Sequence, residues 1–320
     1  MSAPIVSIAM PTYDRLEFLR AAVESIFAQT LRDWELVIAD DGSGAPVLDY
    51  LGSLEQHERV RVLRLAHTGN PSKVRNAAIA VARAPLVAFA DSDDLWEPAK
   101  LEKQLATMRM PPECRWSYTG FVIVDADGVP FPSERNRRWT AYAGDIFDEV
   151  VRGAASIRTP AVVVSTELLK DVGGFDEALD CAEDYDLWAR LALKGPVTVV
   201  DEPLVRVRRH RREDHQPLGL PHAARDYSLR KLASQVHGQR RALVNVERSR
   251  NALAHAAVYA THGQSRRAFA TVAQSLRFSW RSPRWWAGAA KASTLACFGA
   301  LRPRTPSSRR VETRFERVDE

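Results

Sequence analysis

The chain has 320 residues, 45% hydrophobic and 27% charged, which is enough apolar material for a sizeable core and too much for a disordered segment. Its three cysteines, Cys114, Cys181 and Cys297, are too few and too scattered for a disulfide framework or a zinc knuckle. The net charge of +5 hides a split: residues 1–202 hold 21 basic and 32 acidic side chains, residues 203–320 hold 24 and 8, so an acidic body precedes a basic region suited to an anionic surface.

The apolar, β-branched run at 5–10 predicts a buried strand stopped by Pro11. Leu16, Leu19, Val23, Ile26 and Phe27 then recur at helical spacing. WELVIA at 34–39 predicts a second strand, ended by Asp40-Asp41-Gly42-Ser43. A third strand is expected at 60–65, then a helix over 72–83 with Ser72 at its N-cap. LVAFA at 86–90 predicts a fourth strand running into Asp91-Ser92-Asp93-Asp94. Strands and helices that alternate across short connections imply a parallel, doubly wound sheet.

Beyond residue 110 the rhythm loosens. Strands are expected at Trp116–Val124, 161–164, 197–200 and 204–207, with a loop at 135–142. Thr166–Val172 predicts a short helix ended by Gly173-Gly174, and 185–193 is amphipathic up to Gly195-Pro196. From about 222 to 300 the chain is Ala/Arg-rich and helical. The expected organisation is a catalytic body over 1–215, a basic helical extension over 216–302 and a disordered polar tail over 303–320. Neither a secretory leader nor a membrane span is expected, so the cytoplasm is the expected compartment.

Five polar stretches carry candidate chemistry. In an open parallel sheet, ligands bind beyond the carboxyl ends of the strands, where the first three stretches fall. In an extended segment Asp91 and Asp93 would face one site, and a pair of carboxylates with hard oxygens suits Mg2+ or Mn2+. The plainer reading is a polar turn, with Asp94 capping the helix opened near Pro98. Asp40 and Asp41 read as acceptors for a base or ribose, or else as a turn capping the next helix. Thr12, Tyr13 and Asp14 read as base contacts, or as a helix cap and a packed ring. Glu183, Asp184 and Asp186 crowd one helical turn, which offsets the helix dipole and also raises one carboxyl toward the range of a general base. Finally, the basic run at 206–212 offers an arginine to a diphosphate and His210 to a metal or phosphate.

Taken in order and spacing, IVSIAMPTYDR at 5–15, WELVIADDGS at 34–43, KVRNAAI at 73–79, LVAFADSDDLWEPAKLEKQ at 86–104, VGGFDEALDCAEDYDLWARLALKG at 172–195 and EPLVRVRRH at 202–210 resemble the inverting glycosyltransferases of family 2. The resemblance covers about the first two thirds of the chain. It implies a GT-A fold, an α/β doubly wound and mainly parallel sheet. It also implies that Thr12 and Asp41 contact the nucleotide base with Tyr13 and Asp14 alongside, and that Arg75 lies near base or phosphates. Asp91 would hold the ribose or the metal, Asp93 would ligate Mn2+ or Mg2+, and His210 would sit near the metal or phosphates. Asp184 would be the general base with Glu183 beside it. Asp14 stands where asparagine is common, Val74 where alanine is usual, and Pro71 stiffens the loop before it; these departures bear on donor-pocket shape.

The implied partners are a nucleotide-diphosphate sugar and a saccharide or lipid-linked acceptor of the cell envelope. The basic extension would pack on the body or on a second copy of the chain, as in a homodimer, or would meet an anionic membrane through Trp285-Trp286 and the arginines near 266–281. Two other classes compete. A nucleotidyltransferase would need a Gly-rich phosphate loop, which PTYDRLEF lacks. An anion-binding module gripping nucleic acid would need stacking elements through the basic region, and the tryptophans there cluster in one place, so no nucleic-acid partner is expected.

Overall fold

The apolar run after Ile5 forms β1 (Val6–Thr12), and WELVIAD forms β2 (Trp34–Asp40), every residue of which is buried. The computed structural model describes residues 3–109, 113–134, 139–209, 219–279 and 283–300. Contacts divide the chain into two compact units, 1–212 and 213–320.

The first unit is built on an eight-stranded sheet. Its further strands are β3 (Val60–Arg64), β4 (Leu86–Phe89), β5 (Leu95–Trp96), β6 (Trp116–Val124), β7 (Val162–Ser165) and β8 (Thr198–Arg208), in the order β3-β2-β1-β4-β7-β6-β8-β5. The first four strands run parallel, as the alternating pattern requires. The second half departs from that pattern. β7 is antiparallel to both β4 and β6, while β6 and β8 are parallel. Two short strands expected at 197–200 and 204–207 are one strand, β8. It passes Pro203 through register shifts at Thr119–Gly120–Phe121, a bulge that absorbs the missing backbone donor.

Helices α1 (Leu16–Phe27), α2 (Ala45–Leu54), α3 (Pro71–Ala80), α4 (Lys100–Met108), α5 (Phe147–Arg152), α6 (Thr166–Val172) and α7 (Glu183–Lys194) complete this unit. Leu19, Ala22, Val23 and Ile26 form the buried stripe of α1 and pack with Val6, Ile8, Met10, Leu36 and Ile38 in one core. Truncating such a residue, as in Leu19→Ala, costs about 2–5 kcal/mol in cores of this kind. The N-cap of α3 is Asn70 rather than Ser72: its side chain accepts from the Lys73 N–H at 3.0 Å, and Pro71 occupies the first turn. The helix α2 answers the one expected after the Asp40–Ser43 turn, and α5 has no counterpart in the sequence reading.

The second unit is helical: α8 (Leu220–Gln235), α9 (Gly238–Thr261), α10 (Ser265–Ser279) and α11 (Pro283–Ala300). Tyr259, Ala260, Ala268 and Ala296 share a small core, and Ser265 Oγ donates to the Ala296 carbonyl at 2.6 Å. The two adjacent tryptophans part company: Trp285 is buried and its indole N–H donates to Ser275 Oγ at 2.9 Å, whereas Trp286 is 56% exposed. Among the described residues no helix is long and apolar enough to cross a membrane. The 303–320 tail lies outside the described residues.

Candidate active site

The residues beyond the carboxyl ends of β1, β2, β3 and β4 converge, as expected of a doubly wound half-sheet. At the end of β1, Thr12 is 3% exposed, and its hydroxyl has no hydrogen-bond partner among the described residues. A buried hydroxyl without a partner is costly, so a ligand atom is its natural complement. Tyr13 is half exposed and stacks on His67, with ring centroids 4.4 Å apart. That stack presents an aromatic face beside Thr12.

The sequence reading did not single out His67, which lies in the loop after β3. Its Nδ1 stands 2.8 Å from the Asp41 carbonyl oxygen and 3.2 Å from Asp41 Oδ2. The Asp41 carboxylate also accepts from the Thr68 N–H at 2.8 Å, the Thr68 hydroxyl at 2.9 Å and the Gly69 N–H at 2.9 Å. Three acceptances, with His67 standing close to Oδ2, occupy most of a carboxylate. Asp41 therefore reaches the pocket, and its oxygens are spent on holding the 67–69 loop. Asp40 makes the turn expected of it, accepting from the Ser43 N–H at 3.2 Å and from the Ser43 hydroxyl.

The turn after β1 is strained. Asp14 and Arg15 both have left-handed backbones, with φ of 52° and 56°. Asp14 is held by its N–H donating to Ser43 Oγ at 2.8 Å and by Oδ1 accepting from the Gly44 N–H at 2.9 Å. Neither Thr12 nor Asp14 caps α1: Arg15 is its N-cap residue and contributes no side-chain hydrogen bond there.

The acidic stretch at 91–94 turns instead of extending, with the Asp94 N–H donating to the Asp91 carbonyl at 3.3 Å. The i, i+2 geometry of a strand thus does not apply, and the carboxylates of Asp91 and Asp93 go to different arginines. Asp91 Oδ1 accepts from Arg75 Nη2 at 2.7 Å. Asp93 Oδ2 accepts from Arg15 Nη1 at 3.2 Å. Asp94 does not cap α4. Its Oδ1 accepts from the Arg208 N–H at 2.8 Å and ties the turn to β8, while Arg208 Nη1 donates to the Asp93 carbonyl at 2.9 Å. Burial, reinforced by the charges of Asp91 and Asp93, pushes the Asp94 carboxyl well above the usual range.

Arg75 is the centre of the site. It is 7% exposed, and its second nitrogen, Nη1, donates to Glu183 Oε1 at 2.8 Å. One guanidinium thus joins the turn after β4 to the first turn of α7. Despite burial the two carboxylates hold Arg75 firmly charged. Two asparagines of the α3 region reinforce the junction. Asn76 Nδ2 donates to the Phe175 carbonyl at 2.9 Å, and the Phe175 N–H donates back to Asn76 Oδ1 at 3.0 Å. Asn70 Nδ2 donates to the Glu177 carbonyl at 3.1 Å. Close approach explains Gly174, whose φ is +67° and where a Cβ would stand 2.8 Å from Asn76 Oδ1.

Asp184 follows Glu183 at the head of α7. Burial first, then the Glu183 charge, raises its carboxyl to about 6; the Tyr185 N–H at 2.7 Å, Arg75 and Arg158 oppose that rise. The neighbouring Asp186 is spoken for, buried and bonded to Arg190 Nε at 2.8 Å. His210 lies outside the described residues. Among the described residues no three His, Cys, Asp or Glu side chains form a metal cage. The chemistry nonetheless suits a hard divalent ion: Asp91 and Asp93 offer carboxylate oxygens, and a cationic nitrogen of Arg15 already lies against Asp93. A cavity of about 560 Å3, lined by Ile5, Leu31, Leu86, Met108 and Cys114, opens at the amino ends of β1 and β4, the opposite edge of the sheet from this chemistry.

A parallel half-sheet with carboxylates and arginines at its carboxyl edge, extended by an antiparallel β7 and a parallel β6–β8 pair, is the GT-A architecture of nucleotide-sugar transferases. The fold matches the crystal structure of S. aureus TarS 1-349 in complex with UDP-GlcNAc, with a TM-score of 0.67 at 18% identity over 92% of this chain and 88% of that one. It likewise matches the mannosyltransferase PcManGT from Pyrobaculum calidifontis in complex with GDP-Man and Mn2+, with a TM-score of 0.60 at 15% identity over 94% and 88%. Residues 7–140 match the family model for Glycosyl transferase family 2. Among relatives, the putative teichuronic acid biosynthesis glycosyltransferase TuaG of Bacillus subtilis is 38% identical over 40% of this chain and 50% of its own length. The O-antigen biosynthesis protein RfbC of Myxococcus xanthus is 30% identical over 64% and 16%. The chain thus spans half or less of the length of these curated relatives.

Proposed function

We propose that the chain is an inverting glycosyltransferase that moves a sugar from a nucleotide-diphosphate sugar to an acceptor hydroxyl in the synthesis of a cell-envelope polysaccharide or glycolipid. One observation carries the reading. Arg75 grips Asp91 on the donor side and Glu183 on the other, and Asp184, next in sequence to Glu183, has its carboxyl raised to about 6. A base poised near neutral pH is thereby fixed against the donor edge of the sheet. The relatives' printed names, which refer to teichuronic acid, O-antigen and succinoglycan, support the envelope setting.

In the proposed reaction Asp184 takes the proton of the acceptor hydroxyl. The oxygen attacks the anomeric carbon from the face opposite the leaving group. The glycosidic carbon–oxygen bond breaks, its electron pair stays on the diphosphate, and the configuration inverts. Thr12, Tyr13 and His67 receive the base, with Asp41 holding the loop that carries His67. Asp93 and Asp91, with His210, would hold Mn2+ or Mg2+, which supplies charge stabilisation to the leaving diphosphate. Donor hydrolysis measured over a panel of nucleotide sugars with Mn2+ tests the reading. Hydrolysis of one donor is the expected result. Pyrophosphorolysis would point to a nucleotidyltransferase, and silence to a binding module.

The second unit has its own reading. Phe269 is 43% exposed and Trp286 is 56% exposed on a strongly basic segment. This favours contact with the anionic inner face of the plasma membrane from the cytoplasm. Flotation with anionic vesicles at low salt, released at high salt and lost on truncation near residue 262, is the expected pattern. A chain that ignores such vesicles favours the packed cap or a homodimer contact.

A further inference from the structure

The side chain of Arg15 takes no part in capping the helix that its backbone opens. Its backbone is left-handed at φ 56°, directly after another left-handed residue, Asp14 at φ 52°. Such positions are uncommon outside glycine, and two in succession persist only where surrounding contacts hold them. Those contacts are the Ser43 hydroxyl and the Gly44 N–H on Asp14. The backbone of Arg15 serves α1, since its carbonyl accepts from the Phe18 and Leu19 N–H groups at 3.1 Å each. The side chain does something else. It leaves the helix and sets Nη1 3.2 Å from Asp93 Oδ2, across 78 residues of sequence.

The pair is open to water: the Arg15 side chain is 56% exposed and the Asp93 side chain 28%. Exposed pairs are weak and exchange readily. Asp93 is also the carboxylate assigned above to the divalent ion, so a metal and the Arg15 guanidinium compete for the same oxygens. We infer that Arg15 is a resident counter-charge for Asp93, which opposes binding of the bare metal ion and is released to the diphosphate when metal and nucleotide arrive together. The guanidinium fork that gives up a carboxylate matches a phosphate equally well. The chain would then load its metal as a metal–nucleotide complex and take up little free ion.

The inference rests on the glycosyltransferase reading, and the two can fail separately. The experiment is a Mn2+ titration of the full chain followed by electron paramagnetic resonance, with no nucleotide present. Arg15→Asn keeps a residue that tolerates the left-handed backbone and removes the charge. Arg15→Lys keeps the charge. Free Mn2+ should bind Arg15→Asn about three- to tenfold more tightly than the wild type, with Arg15→Lys close to wild type. The gain should vanish in the double variant Arg15→Asn/Asp93→Asn. A misfolded variant would not gain affinity, so the expected result is not one that structural damage can imitate. UDP and GDP binding, measured on the same samples with Mn2+, separates the two readings. Equal Mn2+ affinity in Arg15→Asn and wild type, in a chain that binds one of these nucleotides, overturns the role of Arg15 alone. A gain that survives loss of Asp93 places the ion elsewhere and overturns it too. A chain that binds neither nucleotide, with equal Mn2+ affinities, overturns both.

Discussion

Asp91 and Asp93 stand two residues apart in one turn and the carboxylate of each accepts from an arginine, yet the two pairs are opposites. Arg75 is buried, bridges two carboxylates and lies in a region bonded by Asn70 and Asn76 to the segment before α7. Arg15 is mostly exposed, touches one carboxylate at 3.2 Å and sits on a strained turn. Burial makes the first pair architecture, because separating it strands charges away from water. Exposure makes the second exchangeable, because water compensates either partner. The same two residue types therefore build a fixed point and a movable one within a single site.

The largest effect should come from breaking the fixed point. Arg75→Ala is expected to abolish transfer and to cost about 2–4 kcal/mol in thermal denaturation, since Asp91 and Glu183 lose their shared partner. Arg75→Lys should fail as well, because one ammonium does not reproduce the two-armed fork.

Next comes Asp184→Asn. Transfer should fall by about 10²–10⁴ while nucleotide-diphosphate binding stays near wild type, for the base acts on the acceptor. Equal loss of both would move Asp184 to the donor site. For the wild type, transfer should rise as pH climbs through about 6 and then level off, because the base must be deprotonated. The stability sign runs the other way. A carboxyl raised in the folded state binds its proton more tightly than in the unfolded chain, so stability is lost as pH rises from the unfolded value through about 6. Asp184→Asn removes that loss and should melt higher at pH 7.5, by roughly 2–4 °C for each kcal/mol recovered.

Asp93→Asn probes the movable point. The fold should survive, since its pair is exposed, whereas turnover with Mn2+ should drop by about a hundredfold or more. Full activity in that variant removes Asp93 from the metal. The smallest effect is expected for Asp14→Asn, where asparagine tolerates the left-handed backbone and still accepts from the Gly44 N–H; a change beyond about 0.5 kcal/mol in stability would mean that the charge itself matters there.

Periodicity made β1, β2, β3, β4 and α1 legible, because each buries one face against neighbours close in sequence. It also put Thr12, Asp41, Asp91 and Asp93 just past strand ends and Asp184 at the start of a helix, whereas Arg75, inside α3, was singled out only by the resemblance. It could not show the direction of β7, which no hydrophobic pattern encodes. Nor could it show that Asp91–Asp94 turns, since a strand rule extended past Phe89 assumes the backbone it means to establish. His67, Asn70 and Asn76 were missed for another reason. Their partners are contacts across the fold, such as Asn76 with Phe175 at a separation of 99 residues, and one sequence carries no spacing signal for those. The nearest clue was Gly174, a glycine beside another glycine, whose backbone must admit Asn76.

The bridge through Arg75 also sets a timetable during synthesis. Asp91 follows Arg75 by 16 residues, whereas Glu183 follows it by 108. At translation rates of about 5–20 residues per second, Arg75 waits roughly 5–20 s on the ribosome for its second partner. During that interval the parallel half-sheet can form and bury its apolar stripe, with the guanidinium held by one arm only. The nascent chain thus carries Arg75 and Asp91 before Glu183 and Asp184, and the head of α7 docks onto a surface already in place.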